Sequence, residues 1–181
     1  MIIGVSGLNG AGKGALVSEL SEHGFSVHSL SDVIRQKLSR LGLEETRERM
    51  IEEGRNLRRA GGPGALAQGL VAQFEAGGRY AIDSIRHPAE VDVLAAQSGG
   101  FKLVWVQATE EIRFQRMQER GRSGDPASLE ELRRLEAREL GSSDAAAQQL
   151  LAVRERADLV LDNDGDRSAL HALAAPLWGE G

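Results

Sequence analysis

The stretch Gly7-Leu8-Asn9-Gly10-Ala11-Gly12-Lys13-Gly14 constrains this chain more than any other. It follows the short apolar run Ile2-Ile3-Gly4-Val5 and precedes a helical pattern, so the order is strand, glycine-rich loop, helix. That is the context a phosphate-binding loop needs. Glycines let the backbone turn tightly and approach a ligand. The amides from Asn9 through Gly10, Ala11, Gly12 and Lys13 to Gly14 are expected to converge as donors at a helix N-terminus, where phosphate oxygens are favoured. Lys13 is placed to reach the outer phosphates of a triphosphate. The spacing GxxxxGK is complete, which separates this loop from an ordinary glycine-rich turn. Gly14 stands where Ser or Thr usually holds magnesium.

A chain with such a loop folds as a nucleotide-binding α/β protein, and the remaining pattern agrees. We expect strands at Met1–Ser6, Phe25–Leu30, Tyr80–Asp83, Phe101–Gln107 and Asp158–Asp162. Helices are expected at Gly12–His23, from Ser31 or Asp32 to Arg40, Glu44–Ala60, Pro63–Ala76, Pro88–Gln97, Thr109–Arg120, from the Ser128–Glu131 capping box to Gly141, Ser143–Arg156, and Asp166–Leu177. Strands alternate with helices, so the fold class is α/β. The architecture is a three-layer α/β/α arrangement with a five-stranded parallel sheet covered on both faces. No repeat or linker interrupts it, and residues 1–181 read as one domain. Two helical insertions exceed what a crossover needs, residues 43–78 and 121–157. They lie where such sheets bind ligand, beyond the carboxyl ends of the strands, and suit an acceptor clamp and a lid.

Composition excludes several functions. A net charge of -5 gives no general attraction to nucleic acid or an acidic membrane. With no cysteine there is neither a disulfide framework nor thiol chemistry. No apolar run approaches the length of a membrane span, and no signal peptide is recognisable, so a soluble cytoplasmic protein is expected. Lysine occurs only at positions 13, 37 and 102, and arginine carries the remaining positive charge. Its planar fork suits bidentate phosphate binding.

The expected strand ends deliver charged residues to one edge of the sheet. The second strand leads to Ser31-Asp32-Val33-Ile34-Arg35 and the third to Asp83-Ser84-Ile85-Arg86. The fourth leads through one helix to Arg116, Arg120 and Arg122. Phosphoryl transfer needs cations around the moving group and a carboxylate near magnesium, and Asp83 is placed for the latter. Asp32 reads either as a helix cap or as an orienting group for the acceptor. Arg35 and Arg86 read as phosphate ligands or as solvated surface. Arg116 and Arg120 read as catalytic cations or as partners of Glu110 and Glu119. His28 and His87 favour structural roles over a metal or base role, and Glu136 and Glu139 read as surface.

These segments resemble the nucleoside-monophosphate kinase branch of the phosphate-loop proteins. Gly12-Lys13-Gly14-Ala15 is similar to the Gly-Lys-Gly-Thr that ends the adenylate kinase loop, so Gly14 fits and the departure moves to Ala15, which has no hydroxyl for magnesium. Ser31-Asp32-Val33-Ile34-Arg35 resembles a segment whose arginine grips the acceptor phosphate, and Asp83-Ser84-Ile85-Arg86 resembles a second, one residue shorter. Arg116, Arg120 and Arg122 look like lid arginines. The turn Asn163-Asp164-Gly165 looks like the one bordering the donor base. Across nearly the whole chain, SLSDVIR, GGPGALA, IDSIRHPAEV, RGRSGDP and NDG resemble dephospho-CoA-kinase-like proteins. They also resemble the kinase-like domain of antiphage deoxycytidylate deaminases.

The resemblance implies a phosphotransferase that uses ATP and Mg2+ on a small-molecule nucleotide or nucleotide-like acceptor. Loop residues Asn9 to Ala15, with Asn163 and Gly165, would hold the donor nucleotide. Asp32, Arg35 and Arg86 would hold the acceptor, and Asp83 the metal, through water. Lys13, Arg116, Arg120 and Arg122 would act on the moving group. The rival readings are a nucleotide-sensing module with little turnover, a dephospho-CoA kinase-like activity, and an ATPase that drives a partner. A homodimer or a protein partner stays open.

Overall fold

The computed structural model describes residues 1–122, 124–140, 144 and 146–179. Five parallel strands form one sheet: β1 (Ile2–Ser6), β2 (Ser26–Ser29), β3 (Tyr80–Asp83), β4 (Phe101–Gln107) and β5 (Leu159–Asp162), in the order β2-β3-β1-β4-β5. Every residue of β1 is buried, which explains its unbroken apolar run, since a central parallel strand is covered on both faces. Strands β2 and β5 form the edges and are correspondingly exposed.

Alternation along the strands divides the core in two. Ile2, Ile82 and Leu103 join one cluster, while Ile3, Ala81 and Val104 join the other. The register Ile2↔Tyr80, Ile3↔Ala81, Gly4↔Ile82 aligns these sets between β1 and β3. Fully burying an aliphatic side chain is worth about 1.5–3 kcal/mol, whereas strand propensities span only about 1 kcal/mol. Burial on two faces therefore sets the register. Helices α1 (Lys13–Glu22) and α9 (Arg167–Ala174) cover one face through Leu16, Leu20, Leu170 and Ala174. Helices α2 (Leu30–Arg40), α4 (Ala65–Val71), α5 (Pro88–Ala95) and α8 (Leu150–Arg154) cover the other through Leu30, Ile34, Leu66, Leu70, Val91, Leu94 and Val153. Helices α3 (Arg47–Gly61), α6 (Glu110–Arg120) and α7 (Leu129–Leu140) complete the set among the described residues.

The sheet agrees with the sequence-based expectation, and β3 and β4 have the expected bounds. Helix ends differ for local reasons. Ser29, not Ser31 or Asp32, caps α2, its Oγ accepting from Ser31 N at 3.2 Å. Thr46 Oγ1 caps α3 from Arg49 N, so that helix starts after residue 44. Helix α4 starts at Ala65 and ends at Val71, short of Ala76. The expected helix over 143–156 is present only as α8; residues 141–143 and 145 lie outside those described. Glu131 and Ser128 do open α7, with Glu131 N donating to Ser128 Oγ. Among the described residues no helix is long and apolar enough to cross a membrane.

Candidate active site

β1 and β3 are neighbours in the sheet, so the phosphate loop and Asp83 emerge side by side at its carboxyl edge. Ser6 Oγ donates to Ile85 O at 2.7 Å and ties the two emerging segments together. The loop itself is built around positive φ angles. Gly12 sits at φ 97°, and a Cβ there would run into Asn163 Nδ2. Gly7, at φ 143°, lies so close to Val106 O that no side chain fits. Helix α1 starts directly after Gly12 with no side-chain cap, which leaves its first amides facing the cleft. Lys13 Nζ donates to Gly7 O at 2.8 Å and Leu8 O at 2.9 Å, folding its charge back over the loop.

A cleft of about 590 Å³ runs from this loop toward the insertion over residues 43–78. Gly10, Lys13 and Ala15 line it together with Arg116, Arg120 and Arg122, and with Asp83, Arg86 and Arg35. These residues, expected from three separate strand ends, thus share one cavity, whereas Ala11, Asp32, Asn163 and Gly165 are not in its lining. Both insertions contribute to its wall, the first through Thr46, Arg47, Met50 and Ile51 and the second through Arg122, Gly124, Asp125 and Gln148. Leu30, Ile34 and Leu66 supply an apolar floor.

Asp83 is one of three carboxylates that line the cleft, with Glu45 and Asp125. Its Oδ2 accepts from Ser84 Oγ at 3.2 Å, and Ser84 Oγ in turn accepts from Ser29 Oγ at 3.2 Å. Its Oδ1 is buried with no hydrogen-bond partner among the described residues. Ser84 has a φ of 67°, the one non-glycine left-handed residue among those described. Such strain concentrates at functional sites. No cluster of three or more His, Cys, Asp or Glu able to hold a metal occurs among the described residues. Mg2+ takes one or two carboxylates plus phosphate oxygens and water, and the orphaned Asp83 oxygen beside the loop meets that demand. Ala15 cannot contribute.

The arginines are held in different ways. Arg35 donates from Nε to Glu45 at 2.8 Å and from Nη1 to Asp32 at 2.7 Å, so Asp32 steadies an arginine and does not cap its helix. Burial works against the Arg35 charge, yet the two carboxylates hold its pKa above the ordinary value. Arg86 donates to Gln148 Oε1 at 3.0 Å. Arg120 forms a two-bond fork with Asp125, and that fork holds the Asp125 carboxyl below its usual pKa. Arg116 pairs with neither Glu119 nor Glu110. It donates to Asn163 O at 2.8 Å and Gly165 O at 3.0 Å, while Asn163 Nδ2 donates to Ala11 O. The 163–165 turn is thereby clamped onto the phosphate loop. Glu110 instead pairs with Arg133.

One residue reads differently from the sequence, and the two histidines take the structural roles expected of them. Glu136, expected at the surface, is 6% exposed and pairs with Arg113. Glu139 lies outside the described side chains. His87 caps α5, its Nδ1 accepting from Ala89 N, and His28 lies against Phe74 and Tyr80. Sequence reasoning missed Glu45 and Gln148, which touch site arginines across separations of 10 and 62 residues. No local motif marks either one.

A parallel five-stranded sheet in this order, with a glycine-rich loop after its central strand, defines a P-loop kinase fold. Solved structures agree. The chain superposes on an unliganded sugar kinase from Janibacter with a TM-score of 0.59 at 17% identity, covering 97% of this chain and 92% of that one. For shikimate kinase from Acinetobacter baumannii in complex with shikimate the TM-score is 0.56 at 17% identity, with the same 97% and 92% coverage. Residues 3–140 match the family described as an AAA domain. A UPF0200 protein from Methanosarcina barkeri is 37% identical over 142 residues, 77% of this chain and 76% of that protein. The chain belongs to this AAA-domain P-loop family and to the UPF0200 proteins.

Proposed function

We propose that this protein transfers the terminal phosphoryl group of ATP to a nucleotide or nucleotide-like acceptor. The observation that carries this reading is the single cleft joining the phosphate loop, the orphaned Asp83 oxygen and five arginines, Arg35, Arg86, Arg116, Arg120 and Arg122. The amides of residues 9–15 and Lys13 hold the donor phosphates, with the Asn163–Gly165 turn beside the donor base. Asp83 would hold a magnesium ion, through water, and the chemistry that ion would supply is neutralisation of charge on the moving group. Arg120 and Arg122, on the lid side, stabilise the equatorial oxygens, and no covalent enzyme intermediate is needed. Arg116 orders the 163–165 turn and faces the same group. Asp32 orients Arg35, and Arg35 with Arg86 holds the acceptor phosphate. Residues 43–78 form the acceptor clamp and 121–157 the lid of one domain.

A second reading is a nucleotide sensor with little turnover. It is favoured by Ala15 and by the carboxylates already engaged with Arg35 and Arg120. The deciding experiment incubates the protein with ATP, Mg2+ and a panel of nucleoside monophosphates, dephospho-CoA and hydroxylated sugar acids. Phosphorylated product from a nucleotide acceptor supports the proposal. ATP binding without any product supports the sensor, and product from sugar acids alone overturns the acceptor assignment. Hydrolysis of ATP without an acceptor points to an ATPase.

A further inference from the structure

Two enclosed Arg–Glu pairs lie outside the cleft lining, and each touches a segment that lines it. Arg58 of α3 is 4% exposed and Glu90 of α5 is 0% exposed. Arg58 donates from Nε and Nη2 to Glu90 Oε1 at 3.0 and 2.6 Å. Glu90 Oε2 accepts from the backbone amides of Arg86 and His87 at 2.9 and 3.1 Å. Both carboxylate oxygens are thus committed, one to the first insertion and one to the loop that carries Arg86. The second pair repeats the arrangement at the other end. Arg113 of α6 pairs with both oxygens of Glu136 of α7. Arg113 Nη1 also donates to Asn9 O at 3.2 Å, and its Nε to Ala108 O at 3.1 Å. One guanidinium therefore joins the second insertion, the end of β4 and the phosphate loop.

Stability alone does not require charge at these positions. Removing two ions from water is costly, and apolar residues of similar volume often serve a core equally well. What a carboxylate or guanidinium adds is directed hydrogen bonding to fixed atoms. Here those atoms belong to Asn9 and Arg86, which line the cleft, and to His87, which follows Arg86.

We propose that Arg58–Glu90 and Arg113–Glu136 are positioning pairs that set the acceptor and donor halves of the cleft separately. The proposal rests on the kinase reading only for the names of the two halves. Arg58–Glu90 fixes the 84–87 segment against the first insertion. Arg113–Glu136 fixes the phosphate loop against the second. A displacement near 1 Å in a reacting geometry can cost about a hundredfold, so each pair acts without touching substrate.

The test compares Glu90→Gln with Glu136→Gln, and the apolar double replacements Arg58→Met/Glu90→Leu with Arg113→Met/Glu136→Leu. The doubles leave no buried charge unpaired, so they guard against variants that simply unfold. Amide hydrogen exchange is read at residues 86–87 and 8–14, ATP affinity by titration, and acceptor KM with the best monophosphate of the panel above. Disrupting Arg58–Glu90 should speed exchange at 86–87 and raise acceptor KM about ten- to hundredfold. ATP affinity should then stay within about twofold. Disrupting Arg113–Glu136 should weaken ATP by a similar ten- to hundredfold and speed exchange at 8–14, with residues 86–87 unchanged. Equal effects of both pairs on both halves, no effect of either, or unfolding of every variant would overturn the proposal. If the wild type phosphorylates no acceptor, the kinase reading fails, while exchange and ATP affinity still decide this one.

Discussion

Lys13 and Asp83 carry the largest expected effects of any single side chain. Lys13→Ala should abolish most ATP affinity, read by titration, while the melting temperature changes little. The side chain lies over the loop, where its two bonds to Gly7 O and Leu8 O are replaceable by water. Asp83→Asn should reduce phosphoryl transfer far more than ATP binding. The substitution keeps the shape and the Ser84 contact but removes the charge a divalent cation needs. Retention of full activity would make Asp83 a strand-end residue only. Arg35 behaves differently, because Asp32 and Glu45 already occupy its fork. An acceptor phosphate must compete with Glu45 for it. Arg35→Ala should raise acceptor KM roughly ten- to a hundredfold, from the loss of charge-assisted bonds worth about 1.5–3 kcal/mol, and leave ATP affinity near that of the wild type. Equal loss for donor and acceptor would instead mark Arg35 as a support of the fold.

Helix α2 shows how an element joins stability to the site. Its cap, Ser29, accepts from Ser31 N and also donates to Ser84 Oγ, which reaches Asp83. Ser29→Ala should cost about 0.5–2 kcal/mol of stability, the usual loss for an N-cap, measured by urea unfolding. Ser29→Gly should cost only a few tenths of a kcal/mol as a cap. Any activity lost equally in both variants then reports the missing hydroxyl contact to Ser84 and not the helix. Helices α3 and α7 were legible as helical segments, but their roles were not. Arg55, Arg58 and Arg59 are indistinguishable in the α3 sequence alone. In the fold Arg58 is enclosed with Glu90, while Arg55 and Arg59 face Asp144. Partners 32 or more residues away separated them.

At the scale of the whole molecule, the helix that follows the phosphate loop is held from behind by α9. Glu19 of α1 is 3% exposed and accepts from Arg167 Nε at 2.7 Å, with His171 Nδ1 also at 2.7 Å. The His171 contact first, and the Arg167 contact next, hold the Glu19 pKa below its ordinary value of 4.5. A lowered folded-state pKa contributes stability that is complete above the unfolded value and lost as pH falls through the folded one. Acidification from pH 4.5 downward should therefore destabilise the wild type more steeply than Glu19→Gln, read as melting temperature against pH. Parallel curves would remove Glu19 from the acid response. Around the same contact, His23 stacks on Trp178 with ring centroids 4.1 Å apart, so the C-terminal turn closes over α1.

The alternation of strands and helices, the two covered faces of the sheet and the phosphate loop were determined by the sequence itself. Apolar runs, the GxxxxGK spacing and glycine punctuation are local signals that report local physics: burial on two faces, a tight turn, an uncapped helix start. The candidate residues at the strand ends were legible for the same reason, since a parallel sheet delivers all its carboxyl ends to one edge. Only the tertiary structure decided how each charge is used. It turned Arg116 onto the 163–165 turn, gave Arg35 two carboxylates, buried Glu136 against Arg113 and left one oxygen of Asp83 without a partner. Each outcome depends on which donor or acceptor comes within hydrogen-bonding distance, and that is set by chain folding and not encoded in local residue order.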